Sequence, residues 1–341
     1  MKVLVDGAAG FLGRHVVASL SARGVAVRAT DAAPPETEVE RDRRDLRLDP
    51  LADLFDGITH VVHVAGLFDL SAPREALARA NVALTRRMAR AAALAGVERF
   101  VHVSSASVYG RPARSPVRED APLRPGNRYE RSKAAGERAL TELALPWVVL
   151  RPSGIYGPHG RYGLAAAIAA MALGKERGTY RALRSEARMS HVHVEDVAEA
   201  AVHLLGAEGA VHRAFNVAGR PIGWGLLMEH LERCVGVDAL APVRLSRGAA
   251  RALALVAPLT ASRTRRTNEA LARRWRELCD ARGLVPALAP RIDPSAYAYW
   301  SADHVYAADA LLETGFRLRH PDPREGLRET VGWYRAHRWL P

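Results

Sequence analysis

A glycine-rich turn between an apolar run and a helical pattern is the feature that most constrains the fold of this chain. Residues 2–5 form a short apolar run, Gly7, Gly10 and Gly13 follow at three-residue intervals, and residues 14–23 have helical character. Glycines at such a turn let backbone amides approach a pyrophosphate, and the helix N-terminus adds partial positive charge. The same spacing alone would indicate only a turn, but a strand before it and a helix after it predict a dinucleotide-binding sheet.

Strand and helix patterns alternate through the first half of the chain, which predicts an α/β fold with a Rossmann-type, doubly wound parallel sheet. The expected strands are residues 2–5, 25–30, 59–64, 100–104 and 147–151, and the expected helices are residues 14–23, 51–55, 73–95 and 129–143. After Pro158 the pattern changes, with strands at 191–194 and 215–217 and helices at 164–173, 195–205, 224–235, 246–257 and 264–281. Two short helices are expected in residues 301–339. We expect a cofactor-binding domain in residues 1–155, to which 190–220 return, and a smaller, mostly helical substrate domain in 156–341.

Residues 249–259 are apolar except for Arg251. This run is too short to cross a bilayer, which needs ~18 apolar residues. We interpret it as a core helix; the alternative is a cover over an apolar substrate.

Tyr129 and Lys133 lie four residues apart in a predicted helix, so they share one face. A nearby ammonium favours the phenolate form of a tyrosine, and the pair can therefore exchange a proton with an alcohol or ketone oxygen. The chain has 49 basic residues, of which only Lys2, Lys133 and Lys175 are lysines. A helix surface set by composition alone would carry arginine at position 133, so this lysine indicates a specific role.

The formal net charge of +12 would suit a nucleic-acid partner, but the arginines are spread along most of the chain and no zinc-finger or ribonucleoprotein pattern is present. We therefore expect no nucleic-acid partner. The first residues lack the apolar segment of a signal peptide and no run is long enough for a membrane span, which predicts a cytoplasmic protein. We interpret His191 and His193, in the predicted strand 191–194, as packing residues and expect no metal site.

One acidic side chain stands where a nucleotide would be recognised. Asp31 ends the second predicted strand, about 20 residues after the glycines, where a carboxylate accepts both ribose hydroxyls of NAD and repels a 2′-phosphate. Arg41, Arg43 and Arg44 would favour NADP instead, but they lie beyond a Pro34-Pro35 loop. Asn81 is an unfavourable residue inside a helix, so it either bonds another group or is simply exposed.

Several motifs follow one another in a fixed order over residues 1 to about 220. They are Val5-Asp6-Gly7-Ala8-Ala9-Gly10-Phe11-Leu12-Gly13, Asp31, Asp45-Leu46, His63-Val64-Ala65-Gly66-Leu67, Asn81-Val82, Ser104-Ser105-Ala106-Ser107-Val108-Tyr109-Gly110, Tyr129-x-x-x-Lys133, Arg151-Pro152 with Tyr156-Gly157-Pro158, and His193-Val194-Glu195-Asp196-Val197-Ala198. With these motifs the chain resembles the extended short-chain dehydrogenase/reductase family, which includes sugar-nucleotide 4-epimerases and 3β-hydroxysteroid dehydrogenases.

The resemblance implies NAD as cofactor and a role for each matching residue. Tyr129 would be the acid–base residue, Lys133 would bind the nicotinamide ribose and lower the phenol pKa, and Ser105 would hydrogen-bond the substrate oxygen. Asp31 would hold the adenosine ribose and Asp45 the adenine amine. The full set of implied cofactor contacts is Gly7, Gly10, Phe11, Leu12, Gly13, Asp31, Asp45, Leu46, Val64, Ala65, Gly66, Asn81, Ser104, Tyr129, Lys133, Pro152 and Ser153. Asp6 stands where the family usually has threonine, a change expected to weaken cofactor affinity without abolishing it.

Two departures narrow the reaction. Sugar-nucleotide 4,6-dehydratases carry Asp-Glu after the active-site hydroxyl residue, where this chain has Ala106-Ser107, so the acid–base pair for water elimination is missing. Sugar-nucleotide enzymes also commonly have Arg-Asp before the aromatic-rich strand, where this chain has Met189-Ser190. The first departure argues against water elimination. The second argues against a diphosphate-sugar substrate and agrees better with the steroid-dehydrogenase-like branch of the family, whose substrates are apolar.

The leading hypothesis is an NAD-dependent oxidoreductase that interconverts a secondary alcohol and a ketone. The alternative is a sugar-nucleotide 4-epimerase with tightly held NAD, and a third is a catalytically idle NAD-binding sensor or scaffold. The resemblance also implies a homodimer in which residues 75–95 and 129–143 form a four-helix bundle with their counterparts.

Asp31 predicts that the protein prefers NAD(H) to NADP(H) at least tenfold, which corresponds to about 1.4 kcal/mol. Titration of the protein with NADH and with NADPH, followed by cofactor fluorescence, measures both affinities. Equal or tighter binding of NADPH would contradict the assignment of Asp31.

Overall fold

The computed structural model of the chain describes residues 1–32, 39–294 and 296–341. The Pro34-Pro35 loop of the sequence analysis lies outside the described residues. In chain order the strands are β1 (Lys2–Asp6), β2 (Ala26–Asp31), β3 (Glu40–Arg43), β4 (His60–His63), β5 (Arg99–Val103), β6 (Trp147–Pro152), β7 (Gly154–Tyr156), β8 (Arg181–Ser185), β9 (Arg188–Met189), β10 (His191–His193), β11 (Arg213–Val217), β12 (Ile222–Gly223) and β13 (Leu240–Leu245).

The helices alternate with these strands in the first half and dominate the second. They are α1 (Phe11–Ser21), α2 (Arg74–Ala78), α3 (Leu84–Leu94), α4 (Arg128–Thr141), α5 (Leu164–Arg177), α6 (Val194–Gly206), α7 (Trp224–Val235), α8 (Arg247–Val256), α9 (Ala261–Arg282), α10 (Ala296–Trp300), α11 (Asp309–Leu312) and α12 (Pro323–Ala336). A π-helical segment, Arg79–Ala83, joins α2 to α3, so the single helix expected over 73–95 is interrupted.

Seven parallel strands form the central sheet in the order β11-β6-β5-β4-β1-β2-β3. Helix α1 packs against α6 on one face, and α3 packs beside α4 on the other. The expected doubly wound parallel sheet is therefore confirmed. Strand β3 was missed because its sequence, Glu-Arg-Asp-Arg, has no apolar residue; charged side chains suit an edge strand that faces water.

The C-terminal part of the chain is mostly helical, as expected, and has its own apolar cluster. Helices α5, α7, α9 and α12 contribute Ile168, Leu231, Trp275 and Tyr334 to it, all of them buried. The parallel pair β8–β13 was not expected, and α12 is longer than the short helix that the sequence indicated. The domain boundary near residue 155 stays a prediction.

The prediction that residues 249–259 form a core helix is wrong. Helix α8 buries only Ala250 and packs against the five-residue helix α10. Because its partner is so short, α8 covers little of its own surface and most of its side chains stay exposed. Leu255 and Leu259 are 76% and 83% exposed. In the part of the chain that the structure describes, no helix has the length and apolar content needed to cross a membrane.

A buried ion pair joins the sheet to α4. Arg151 at the end of β6 contacts the Glu137 carboxylate at 2.7 Å, and the two side chains are only 9% and 6% exposed. Glu137 also accepts a hydrogen bond from the Ser104 hydroxyl at 2.5 Å, and Arg151 donates to the Tyr109 hydroxyl at 2.8 Å. The pair therefore fixes the carboxyl ends of β5 and β6 against the helix that carries Tyr129.

Replacing Arg151 with methionine should lower the free energy of unfolding by about 3–5 kcal/mol, because it leaves the Glu137 charge buried without its partner. Denaturant unfolding measures the change. Arg118→Met is the matched control, since Arg118 pairs with Asp309 at 3.7 Å and both side chains are 62% exposed; it should change the free energy by less than about 1 kcal/mol. Equal effects of the two substitutions would contradict the prediction.

Candidate active site

The residues expected to bind cofactor follow the carboxyl ends of neighbouring strands. The strand order reverses between β1 and β4, and ligands of open α/β sheets bind in the crevice at such a point. The glycine turn follows β1, Asp31 ends β2, Asp45 follows β3, and residues 64–66 follow β4. Ser104 and Ser105 follow β5, and Pro152 and Ser153 lie at the end of β6. The structure thus brings the expected set to one edge of the sheet.

The glycine turn has no room for side chains. Gly7 has φ +61°, and a Cβ there would lie 2.9 Å from the Ala65 nitrogen. A Cβ on Gly13 would lie 2.1 Å from the Gly7 oxygen. Helix α1 begins at Phe11, and no side chain of the described residues caps its N-terminus at Gly10. Its first backbone amides are therefore available to an anionic group such as a pyrophosphate.

Asp6 replaces the usual threonine of the motif and is fully buried at the end of β1. One carboxylate oxygen accepts hydrogen bonds from the backbone nitrogens of Val64 and Ala65, both at 2.7 Å. The other oxygen contacts His63 Nδ1 at 2.5 Å. The substitution thus adds a partner, His63, and fixes the segment after β4 against the glycine turn.

A chain of hydrogen bonds continues from His63 to α4. His63 Nε2 contacts the Thr85 hydroxyl at 3.0 Å, and that hydroxyl donates to the backbone oxygen of Asn81 at 3.2 Å. The Asn81 amide donates to the Ser132 hydroxyl at 2.9 Å and to the Leu67 oxygen at 3.0 Å, and it accepts from the Leu67 nitrogen. Asn81 therefore bonds other groups, the first of the two expected alternatives. Its direct contact with NAD stays a prediction.

The first turn of α4 is held by a capping box. The Asn127 side chain accepts a hydrogen bond from the Glu130 nitrogen at 2.9 Å, and the Glu130 carboxylate accepts from the Asn127 nitrogen at 3.1 Å. Tyr299 of α10 donates to Glu130 at 3.1 Å. These contacts fix the backbone on both sides of Tyr129.

Tyr129 and Lys133 lie on one face of α4, 7% and 5% exposed. Burial raises the pKa of the Tyr129 phenol to about 12, partly opposed by a hydrogen bond from Ser105. Burial also lowers the pKa of Lys133 to about 8, against the attraction of Glu137 and Asp6. At neutral pH the phenol therefore holds its proton and the lysine stays mostly charged.

The expected lowering of the Tyr129 pKa by Lys133 is not what the structure gives. The Lys133 ammonium donates to the Val103 oxygen at 2.7 Å, at the end of β5. A Cβ on Gly66 would lie 3.8 Å from the ammonium nitrogen, so the charge faces the segment expected to contact the cofactor. Desolvation is therefore the main influence on the pKa of the Tyr129 phenol, and it raises that pKa.

Ser105 lies beside the phenol at the start of a short 3₁₀ turn, Ala106–Tyr109. Its hydroxyl caps that turn by accepting from the Ser107 nitrogen at 3.2 Å, and it contacts the Ser107 hydroxyl at 2.9 Å. Ser105 is therefore oriented by the turn and half-buried near the Tyr129 hydroxyl.

Two carboxylates, Asp31 and Asp45, lie near the end of the sheet edge where the adenosine is expected. Among its contacts, Asp31 accepts a hydrogen bond from the Ala9 nitrogen in the glycine turn at 3.0 Å. Asp45 is held by Arg47 at 2.7 Å, and this contact lowers the Asp45 pKa to about 2. Leu46 beside it is buried. Asp31 ends β2 and Asp45 follows the edge strand β3, so both carboxylates lie at the side of the sheet where an adenosine would reach.

These features fit NAD. The turn leaves space only for backbone, α1 offers free amides, and the buried Ser153 hydroxyl at the end of β6 has no hydrogen-bond partner among the described residues. A buried hydroxyl without a partner is costly unless a ligand supplies one. Ser153 is thus available to a bound cofactor.

An aromatic group that the sequence analysis missed leads from Tyr129 to the surface. Phe68 meets the Tyr129 ring edge to face with centroids 5.0 Å apart, and Tyr162 lies 5.8 Å from Phe68. Phe68 is 44% and Tyr162 is 56% exposed. The sequence feature that could have indicated Phe68 is its position, two residues after Gly66 in a loop at the sheet edge.

His193, Glu195 and His320 lie close together, with one ligand atom of each within 4.8 Å of the others. However, His193 Nδ1 already accepts from the Glu195 nitrogen, and the two imidazole rings face each other with centroids 4.0 Å apart and a 38° tilt. Lone pairs that lie in the planes of facing rings do not converge on one ion. We assign no metal to this group.

A family model described as the NAD dependent epimerase/dehydratase family matches residues 3–218. The chain is 33% identical over 244 residues to a UDP-glucose 4-epimerase of Mycolicibacterium smegmatis, covering 64% of this chain and 77% of that protein. It is 34% identical over 203 residues to a ceramide reductase of Caulobacter vibrioides, covering 58% of each. Matches to three further curated relatives span about half of the relative's length.

The fold is similar to that of the solved structure of MoeE5 in complex with UDP-glucose and NAD. The TM-score is 0.73 at 24% sequence identity, over 98% of this chain and 99% of MoeE5. The chain therefore belongs to the NAD-dependent epimerase/dehydratase family and is an NAD-dependent enzyme of the extended short-chain dehydrogenase/reductase type.

Proposed function

We propose that this enzyme interconverts a secondary alcohol and a ketone on a rather apolar small molecule. The observation that carries the proposal is the aromatic group of Phe68 and Tyr162, which extends from the Tyr129 ring to the surface. Exposed aromatic rings are favourable partners for an apolar substrate and poor partners for a diphosphate. The ceramide reductase among the relatives is consistent with such a substrate.

Ser105, Tyr129 and Lys133 would carry the chemistry. Bound NAD(H) supplies the hydride or takes it up. The Tyr129 phenol, protonated because its pKa is about 12, gives its proton to the ketone oxygen during reduction and takes it back during oxidation. The Ser105 hydroxyl donates to the same oxygen. The Lys133 charge faces residues 64–66 and would bind the nicotinamide ribose there.

The rest of the chain has supporting roles in this proposal. Residues 156–341, without 190–220, would supply the substrate-binding side, since Tyr162 belongs to them. A homodimer through α3 and α4, and a cytoplasmic location, remain part of the same proposal.

A sugar-nucleotide 4-epimerase is the second candidate, favoured by the 33% identical UDP-glucose 4-epimerase. An epimerase oxidises and then reduces the same substrate, so it has no need to release its cofactor. Purified protein that retains NAD at full occupancy would favour this candidate, and freely exchangeable NAD(H) would favour the dehydrogenase.

Tyr129→Phe should reduce turnover by about 10²–10⁴-fold, because it removes the proton donor and keeps the ring. NADH affinity should survive. The assay screens hydroxysteroids, 3-keto esters and UDP-sugars with NAD(H) absorbance, and then compares variants on the best substrate. Tyr180→Phe is the matched control, since the Tyr180 hydroxyl contacts Glu232 in the C-terminal helices and should leave turnover near the wild-type value.

More than about a tenth of wild-type turnover in Tyr129→Phe would contradict the role of Tyr129. Tyr109 is a poor substitute, because its hydroxyl donates to Asn216 at 2.9 Å and accepts from Arg151.

Lys133→Met should stabilise the cofactor-free protein at pH 7. Burial shifts the Lys133 pKa from about 10.5 to about 8, so the unfolded chain binds more protons between pH 8 and 10 and wild-type stability rises with pH across that window. Below pH 8 the buried ammonium costs ~3 kcal/mol, at 1.36 kcal/mol per pKa unit. We expect Lys133→Met to raise the free energy of unfolding by ~1–3 kcal/mol at pH 7, which already allows for the lost hydrogen bond to Val103. The increase of stability with pH above pH 8 should disappear in this variant.

Urea unfolding at pH 7, 8, 9 and 10 measures both effects. Lys2→Met is the control, because Lys2 pairs with Glu40 at the surface and should change stability by less than about 1 kcal/mol. A Lys133→Met protein that is less stable at pH 7 and keeps the wild-type pH profile would refute the prediction.

A further inference from the structure

The surface formed by α8 and residues up to Leu259 exposes several apolar side chains to water. On α8, Gly248, Ala249, Arg251, Ala252, Leu255 and Val256 all face water. A surface helix normally carries polar residues on that side, and here Arg251 is the single charged one among these six. The contact of α8 with α10 uses the opposite side, around Ala250.

Large exposed apolar residues concentrate in this part of the chain. Six of those in the described residues lie between positions 240 and 259: Leu240, Val243, Leu253, Leu255, Val256 and Leu259. Scattered exposed leucines need no explanation, but a contiguous group marks an interaction site.

The same part of the chain is strongly basic. Residues 239–268 contain six arginines and no aspartate or glutamate. Arg263, Arg265 and Arg266 are exposed in the first turns of α9, shortly after Leu259 in the chain, and Arg265 contacts Glu269 at 3.9 Å. We call Arg251, Leu255, Val256, Leu259, Arg263, Arg265 and Arg266 the α8–α9 face.

An open cleft of about 610 Å³ adjoins this face, between α8 and residues 111–115. Arg111, Arg114, Arg247 and Arg251 line it, together with Asp303, which pairs with Arg247 at 2.6 Å. The other three arginines of the cleft are not part of this ion pair. Positive charge therefore extends from the face into a concave site that is large enough for an anionic head group.

We propose that the α8–α9 face is a docking surface for an anionic lipid bilayer. Leu255, Val256 and Leu259 would enter the boundary between head groups and acyl chains, and the arginines would contact lipid phosphates. An apolar face surrounded by basic residues is the combination that holds a helix in the plane of a membrane surface.

Other occupants fit the face less well. A second copy that paired through the same face would bring its arginines against those of the first, and like charges repel. A nucleic acid would use the arginines but leave the leucine side chains without a role. A bilayer of anionic lipid uses both.

The face also lies close to the chemistry. Helix α8 packs on α10, and Tyr299 of α10 bonds Glu130 beside Tyr129. Docking there would bring the part of the site around Tyr129 closer to a bilayer in which an apolar substrate dissolves. Only this last step rests on the proposed function; the docking itself does not.

Co-sedimentation with vesicles tests the docking without substrate or NAD. Vesicles of phosphatidylcholine are compared with vesicles of phosphatidylcholine and phosphatidylglycerol at 3:1, in 0.1 M NaCl. We expect wild-type protein to bind the anionic vesicles at least tenfold more tightly, and to bind them more weakly in 0.5 M NaCl.

Two sets of variants separate the contributions to binding. Leu255→Ser with Leu259→Ser, and separately Arg263→Gln with Arg265→Gln and Arg266→Gln, should each lower the affinity for anionic vesicles at least tenfold. Leu48→Ser with Leu226→Ser is the matched control, since these leucines are 77% and 62% exposed elsewhere on the molecule. It should bind like the wild type, and thermal unfolding verifies that every variant is folded.

Three results would overturn the proposal. The first is no binding to anionic vesicles. The second is binding that the leucine variant keeps in full, because attraction by charge alone then explains it. The third is a wild-type dimer or larger assembly that the leucine variant dissociates in light scattering, because the face then pairs with another copy. Each result leaves the proposed reaction untouched, since turnover on a water-dispersed substrate is measured separately.

Discussion

The buried carboxylate of Asp6 is the contact on which the site depends. It lies at the end of β1, next to the point where the strand order reverses, and it accepts two backbone hydrogen bonds from the segment after β4. Hydrogen bonds to a charged acceptor contribute more than neutral ones, and a buried carboxylate without them would be very costly. The backbone segments that follow β1 and β4, which border the crevice where a dinucleotide would lie, are therefore held together by this side chain.

From Asp6 the contacts pass through His63, Thr85 and Asn81 to Ser132 on α4. On the far side of α4, the Arg151–Glu137 pair ties the same helix to β5 and β6. The face that carries Tyr129 and Lys133 thus lies between two buried polar networks. Such networks limit how far a helix can shift, which suits a site whose reacting groups must keep their positions within a fraction of an ångström.

Several buried groups lower the stability of the protein, and these groups are located where the chemistry is expected. Burial lowers the Lys133 pKa and raises that of Tyr129, and the Ser153 hydroxyl lacks a partner in the described residues. Strongly perturbed groups that share a cleft are typical of functional sites. On the outside, the apolar residues of the α8–α9 face are a second departure from what stability alone would favour.

The sequence was sufficient to predict the sheet, the glycine turn, the order of the motifs and the shared helix face of Tyr129 and Lys133, because these depend on local periodicity and on residues close in the chain. It could not determine that Asp6 bonds His63, 57 residues away, or that Lys133 donates to Val103 and leaves the Tyr129 pKa to burial. It also gave no sign of β3, whose charged residues form a strand only because β2 offers an edge. Residues 249–259 were assigned to the core from their composition, yet composition does not say which side of a helix finds a partner. Tertiary structure alone decided that α8 rests on α10 through Ala250 and turns its leucines outward.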